Sequence, residues 1–186
     1  MLQINFQPFQ NLKTDRLYLR RVSPADVPQV LELRGNAENM KYIPRPLITN
    51  VEDALAHIDI INEKIDQNSG INWGITLQDS DTIIGIIGHY RIQPENHRSE
   101  IGYMLQPQFH GKGYATEAIK AVLQYGFNVM NLHSIEAVID PENILSEKVL
   151  VKCGFVKEAH LKENEYFEGK FWDSVIYSLL KKNYNP

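Results

Sequence analysis

The stretch Gln108-Phe109-His110-Gly111-Lys112-Gly113-Tyr114 constrains this chain more than any other. It joins a strand-like run, Arg98 to Leu105, to a run from Ala115 to Met130 with apolar residues at 115, 118, 119, 122, 123, 127 and 130. The hydrophobic period therefore switches from two to 3.6 across one short loop. A glycine-bracketed loop that opens a helix can aim several backbone N–H groups at one point, where the helix dipole adds partial positive charge. With Lys112 between the glycines, a diphosphate is the natural ligand.

The rest of the chain supplies a sheet for that loop to sit on. Leu17 to Val22 alternates apolar and polar residues, a strand signal. Ser23-Pro24-Ala25-Asp26 reads as a helix start, with Pro28 moving the helix toward Asp26. A second helix is expected from Val51 to Asn68, capped through Thr49, with Ala54, Leu55, Ile58, Ile61 and Ile65 as its apolar stripe. Ile71 to Leu77 and Thr82 to Ile92 form a hairpin around Asp79-Ser80-Asp81, and Arg98 to Leu105 adds a third strand. After the Ala115–Met130 helix come a strand at Ser134 to Asp140 and a short helix from Ile144 to Cys153, closed by Gly154. Two last strands, Phe155 to Tyr166 and Phe171 to Leu180, turn at Glu168-Gly169. This order, with a meander ahead of the loop, predicts an α+β (mixed α/β) fold with helices packed on one mixed sheet, and residues 1–186 as a single domain.

Composition narrows the functional classes. The chain has 186 residues and 19 Lys and Arg against 23 Asp and Glu. Residues 1–93 carry 9 basic against 11 acidic side chains and residues 94–186 carry 10 against 12, so neither half offers a basic footprint for nucleic acid. One cysteine, Cys153, excludes an internal disulfide framework and fits a reducing cytoplasm. The apolar run Ile83 to Gly88 is too short to span a bilayer, and Met1-Leu2-Gln3-Ile4-Asn5 does not read as a signal peptide. A cytoplasmic protein without a membrane partner is expected. Histidines 57, 89, 97, 110, 133 and 160 make no His-x-His or His-Glu-x-x-His pair, so no metal is expected.

Three readings of the loop compete. A nucleotide triphosphatase needs Gly-Lys followed by Ser or Thr after a fixed spacer, and Lys112 between two glycines does not supply it. A dinucleotide site needs a third Gly or Ala where Thr116 stands, although Glu136 or Asp140 could serve as the ribose-binding acid. A tight turn without a ligand is the third.

Gln108-x-x-Gly111-x-Gly113 at a strand–helix junction resembles the pyrophosphate-binding motif of the GNAT superfamily of acetyl-CoA-dependent N-acetyltransferases. Gly111 to Ala118 is similar to the form in the branch that acetylates ribosomal-protein N-termini. So are Thr14-Asp15-Arg16-Leu17-x-Leu19-Arg20 and Asp140-Pro141-Glu142-Asn143-x-x-Ser146 followed by Gly154-Phe155, while Glu100 to Leu105 resembles the strand that precedes the superfamily's loop. The resemblance implies a strongly twisted, mainly antiparallel sheet of roughly six to seven strands with about four helices, the acyl-CoA N-acyltransferase fold. It implies that the first strand after the meander splays from its neighbour to leave a cleft. It also implies acetyl-CoA as co-substrate, a peptide or small-molecule amine as acceptor, and, since the branch often dimerises, a homodimer as one assembly.

The resemblance further implies residue roles. Met104 and Leu105 would pair through their backbone with the pantetheine amides, and Gln108, His110, Gly111, Lys112, Gly113, Tyr114, Ala115 and Thr116 would cradle the pyrophosphate. Asn143 would bond the pantetheine arm and Ser146 would lie by the thioester sulfur. Direct acetyl transfer needs an amine freed of its proton and a leaving thiolate that regains one. Many superfamily members donate that proton from a Tyr seven residues after the Asn, but here the position is Leu150, which leaves Ser146 as the nearest hydroxyl. For the base, Glu100, Glu165 or a water chain compete, with alternation placing Glu163 and Glu165 on one strand face. Lys148 and Lys152, one helical turn apart, either meet the cofactor's 3′-phosphate or line a solvated helix face. Leu150 also keeps open a non-catalytic acyl-CoA-binding module on the same scaffold.

Overall fold

Runs rich in β-branched residues make two interior strands, β3 (Ile71–Leu77) and β4 (Ile83–Gln93), and both faces are buried over most of β3 and over Ile83 to His89 of β4. A computed structural model of the chain describes residues 2–185. The remaining strands are β1 (Leu12–Lys13), β2 (Leu17–Arg20), β5 (Arg98–Leu105), β6 (Ser134–Ile139), β7 (Val156–Phe167) and β8 (Lys170–Leu180). All eight form one sheet in the order β1-β2-β3-β4-β5-β6-β8-β7. Every pairing is antiparallel except that of β5 with β6. The expected mixed, mainly antiparallel sheet is present, with one strand more than the pattern predicts. The addition is β1, whose two residues are too few to show a period.

Five helices flank the sheet: α1 (Val27–Gly35), α2 (Ala37–Met40), α3 (Val51–Asp66), α4 (Tyr114–Asn128) and α5 (Ile144–Lys152). Pro28 sits in the first turn of α1, where no intrahelical N–H is required, after a 3-10 turn at Pro24–Asp26. The cap of α3 is Asn50 rather than Thr49, since its Oδ1 accepts the Asp53 amide at 2.8 Å. From α3, Ala54, Ile58, Ile61 and Ile65 are buried, and Leu55 packs beside them. Consecutive residues of β4 separate the two helical layers. His89 turns to α4 and hydrogen-bonds the Val122 carbonyl at 3.1 Å, whereas Tyr90 turns to the α1 side and feels the charge of Arg34.

Gly126 lets α4 approach the sheet this closely, because a Cβ there would lie 2.9 Å from the His89 ring and from Ile135. The same helix packs Tyr125 edge-on against Trp73, with centroids 5.1 Å apart. No helix among the described residues is long and apolar enough to cross a membrane.

Two features shape a cleft. The parallel pairing of β5 with β6 covers only Arg98 to Glu100 against Ser134 to Glu136, so beyond Glu100 the strands part. On the far side, β7 shifts register against β8 between Leu161 and Glu165, with Glu163 at φ 52. That bulge overturns the expected alternation. The Glu163 amide instead donates to Asp173 at 2.9 Å, and the side chain of Asn164 donates to Ser174 at 3.1 Å.

Candidate active site

The loop between β5 and α4 takes its shape from two glycines in left-handed conformation, Gly111 at φ 73 and Gly113 at φ 82. A side chain at Gly111 would meet nothing within 4 Å, so backbone conformation rather than crowding requires glycine there. Gly113 caps α4 without a side-chain bond, and the amides of Tyr114, Ala115 and Thr116 take no partner among the described residues. A tether from the N-terminal segment holds that helix end in place. Glu117 accepts from the Thr14 hydroxyl at 2.6 Å, the Arg16 amide at 2.9 Å and the Arg16 guanidinium at 2.6 Å. Burial pushes the Glu117 carboxyl upward, but the bonds from Thr14 and Arg16 together hold it below the usual carboxylate range. Arg16 also donates to the Lys112 carbonyl at 3.0 Å and lies 4.7 Å over the Tyr114 ring.

Along β5 the ladder decides which backbone groups are free. The Gln106 amide donates to Ile84 at 2.9 Å, so alternation gives the Met104 amide and carbonyl to β4 and turns those of Tyr103 and Leu105 toward the open side. The Leu105 carbonyl is already taken by Nε2 of His110 at 2.9 Å, which makes that nitrogen the protonated one. Only Tyr103 and the Leu105 amide are left for a pairing partner. Met104 has no free backbone group for the expected pantetheine pairing and faces the cleft with its side chain.

A cavity of about 620 Å³ runs from the loop to α5. Met104, Leu105, His110, Gly111, Gly113, Tyr114, Ala115, Thr116, Asn143 and Ser146 line it, as does the Lys148–Lys152 pair. Two predicted residues do not. Gln108 is turned away, its amide donating to Glu32 at 3.3 Å and Gln106 at 3.0 Å. The ammonium of Lys112 lies 5.4 Å over the Phe109 ring. Sequence reasoning also missed the opposite wall, Glu38 to Ile43 around α2, which carries no periodic or motif signal, and Tyr103 on β5.

At the inner end of the cavity, Asn143 caps α5 by accepting the Ser146 amide at 3.1 Å. Ser146 Oγ stands 2.6 Å from the Tyr103 hydroxyl. Burial pushes the Tyr103 phenol far above its ordinary value, against the hydrogen bond of Ser146. Leu150 is fully buried, so the position of the absent tyrosine belongs to the core. Burial also raises the Cys153 thiol to about 11, which keeps it protonated and a poor nucleophile.

Neither candidate base lines this cavity. Glu100 shares a face of β5 with Gly102 and Met104, toward the α1 side, and pairs with Arg91 at 2.8 Å. Burial raises its carboxyl, Arg91 opposing. Glu165 is bonded to Arg45, whose charge also reaches Glu100. Alternation along β5 therefore puts Tyr103, with Ser146, and Glu100 on opposite faces of the strand, beside the gap that opens between β5 and β6.

A mixed sheet that parts beside a glycine loop, with a cavity along the parted strand, is an arrangement able to take a long ligand beside β5. The comparisons make the class specific. Residues 16–156 match the family described as Acetyltransferase (GNAT) domain. The chain is 34% identical to the uncharacterized N-acetyltransferase YoaA of Bacillus subtilis (strain 168), over 93% of this chain and 98% of that protein. It is 27% identical to the [ribosomal protein uS5]-alanine N-acetyltransferase of Escherichia coli (strain K12), over 96% and 95%. Among solved structures, the GNAT-family acetyltransferase from Bacillus anthracis superposes with a TM-score of 0.82 at 31% identity, covering 93% of this chain and 99% of that one. The chain belongs to the GNAT acetyltransferase family, and its enzymatic class is N-acetyltransferase. The dinucleotide reading falls with that assignment, since the loop follows an antiparallel meander instead of opening a βαβ unit.

Proposed function

We propose that the protein moves an acetyl group from acetyl-CoA directly to a primary amine within a ternary complex, the acceptor being a protein N-terminal α-amine or a small-molecule amine. The observation that carries this reading is the cavity itself, which links the unpartnered amides of α4 to the Tyr103–Ser146 hydroxyl pair along the open edge of β5. The amides of Tyr114 to Thr116 suit a diphosphate at the helix start, and Lys148 and Lys152 suit a further phosphate. Asn143 holds the turn that presents Ser146. The cofactor residues we assign are Met104 (by its side chain), Leu105, His110, Gly111, Gly113, Tyr114, Ala115, Thr116, Asn143 and Ser146. Gln108 and Lys112 are not among them.

In this reading the incoming amine attacks the thioester carbonyl, its proton passes to Glu100 directly or through water, and the departing thiolate takes a proton from Ser146, which regains one from Tyr103. Glu100 then releases its proton to solvent, and Tyr103 takes one up from it. Glu100 suits the base because burial moves its carboxyl toward the pKa of an amine, about 7.7–8.0 for an α-amino group. Glu165, bonded to Arg45, positions that arginine instead. The test is thiol release from acetyl-CoA across a panel of amines and N-terminal peptides. Release with at least one amine, abolished in Glu100→Gln and retained in Glu165→Gln, is expected. Binding of acetyl-CoA without release from any amine would leave a non-catalytic acyl-CoA module.

A further inference from the structure

Six of the chain's seven arginines pair with a carboxylate, and Arg34 does not among the described residues. It stands in the last turn of α1, its Nε buried without a hydrogen-bond partner. The carbonyl end of the helix favours a cation there, but no carbonyl accepts from the Nε. A buried N–H without an acceptor is costly, and a ligand that offered an acceptor to this half-buried guanidinium would offset that cost.

The surroundings are set for an anion. His57 is pushed down to about 4 by burial and by the Arg34 charge, which leaves it neutral near pH 7. The Tyr90 phenol is held neutral by burial, raised to about 12. Arg45, the other charge that reaches Arg34, adds to the positive field while its own partner is Glu165. The carboxylates near the cleft floor have their own arginines, Arg91 for Glu100 and Arg98 for Glu136. Tyr90 lies across Gly102, where a Cβ would come within 2.9 Å of its ring, and its hydroxyl is fixed by Asn72, whose Oδ1 is also buried without a partner. Arg34 and Glu100 both act on this one phenol.

We propose that Arg34 is the anion-binding residue of the acceptor site, so that the acceptor is a small primary amine that also carries an oxyanion, its amine toward Glu100 and its oxyanion on Arg34 across Tyr90. The proposal rests on the acetyl-transfer reading and narrows it. Polyamines, which offer a second cation, meet the wrong charge at Arg34.

The test compares acceptors with and without the anion, their rates expressed per unprotonated amine: amino acids against their carboxamides, phosphoethanolamine against ethanolamine, and spermidine as the cationic control. The expected result is a kcat/KM at least tenfold higher for one anionic member over its neutral partner, a ratio that collapses toward one in Arg34→Met. The favoured pair distinguishes a carboxylate from a phosphate. Equal rates for anionic and neutral partners, or a preference for spermidine, overturn the proposal while leaving acetyl transfer intact. Should no amine release CoA, acetyl transfer fails and the site is judged by thermal shift with N-acetylated amino acids. Protection in the wild type and none in Arg34→Met upholds the anion site, and equal shifts in both overturn it. Thermal stability of unliganded Arg34→Met separates a structural role: a midpoint equal to or above the wild type's is expected, and a clear drop assigns Arg34 to packing.

Discussion

The Tyr103 hydroxyl on β5 and Ser146 Oγ on α5 lie 2.6 Å apart, at the cavity end away from the glycine loop. One donor can satisfy only one acceptor at a time, so with Tyr103 donating, the serine proton is free to point into the cavity. The phenol, raised by burial, stays protonated throughout the neutral range and can refill the serine once it has given its proton. Two groups in series should not act additively. Ser146→Ala is expected to lower kcat by about 10²-fold, Tyr103→Phe by about tenfold, and the double variant by no more than Ser146→Ala alone. Steady-state kinetics with acetyl-CoA varied would show kcat falling while KM holds. Multiplying losses in the double variant would mean that the two hydroxyls work separately.

At the other end, the proposed grip on the diphosphate comes from backbone amides and not from Lys112, whose ammonium rests over Phe109. Gly113→Glu places a carboxylate and a strained left-handed residue at the helix start, where Cβ would lie 3.3 Å from Arg16. Acetyl-CoA affinity by calorimetry is expected to fall by about 10²-fold or more, against roughly threefold or less for Lys112→Ala, a solvated charge. A larger loss from the lysine variant would move the grip from the amides to the side chain.

The legible parts of this molecule are those where one local rule acts over many residues. The apolar stripe of α3, the meander and the loop-to-helix switch at Gly113 all follow from periodicity and glycine placement. Thr14 and Arg16 are legible only as motif, and the geometry supplies the reason: both bond Glu117 and so fix the first turn of α4. What sequence could not reveal depends on contacts between distant segments. Tyr103 becomes interesting only when α5 brings Ser146 to it, 43 positions away. Gln108 matches its motif yet turns to Glu32 on α1, a partner 76 positions off. The Glu163 bulge defeats alternation because Asp173 captures its amide, a tertiary preference that no strand period encodes.

The Glu117 tether makes a stability prediction with a definite sign. The folded carboxyl titrates below the unfolded one, so its contribution is complete above the ordinary carboxylate pKa and is lost as pH falls through the lowered folded value. Glu117→Gln should cost about 2 kcal/mol at pH 7, the scale of charge-assisted hydrogen bonds left half made. Denaturant melts of both proteins from pH 7 down to pH 3 should show that gap closing with acid. A gap that stays constant would mean Glu117 contributes packing rather than charge.

His89 titrates with the opposite chemistry and the same direction. Buried between Ser99, 2.8 Å from Nδ1, and the Val122 carbonyl, 3.1 Å from Nε2, the ring donates from Nε2 to the carbonyl, and in its neutral form accepts from the serine at Nδ1. Burial drives it down to about 4. Between pH 6.5 and 4 the unfolded chain therefore binds a proton that the folded one refuses, and stability should fall with acid by up to about 1.4 kcal/mol per pH unit from this residue, levelling below 4. His57, also near 4, adds a parallel slope, so each must be replaced in turn. His89→Gln disturbs the packing under Gly126 and lowers the whole curve, which makes the slope and not the height the quantity to read. Chemical melts every half unit across that window should give a visibly flatter line in His89→Gln than in the wild type. Parallel lines would mean that the imidazole takes up its proton in the folded state, and that the bond to Val122 yields when it does.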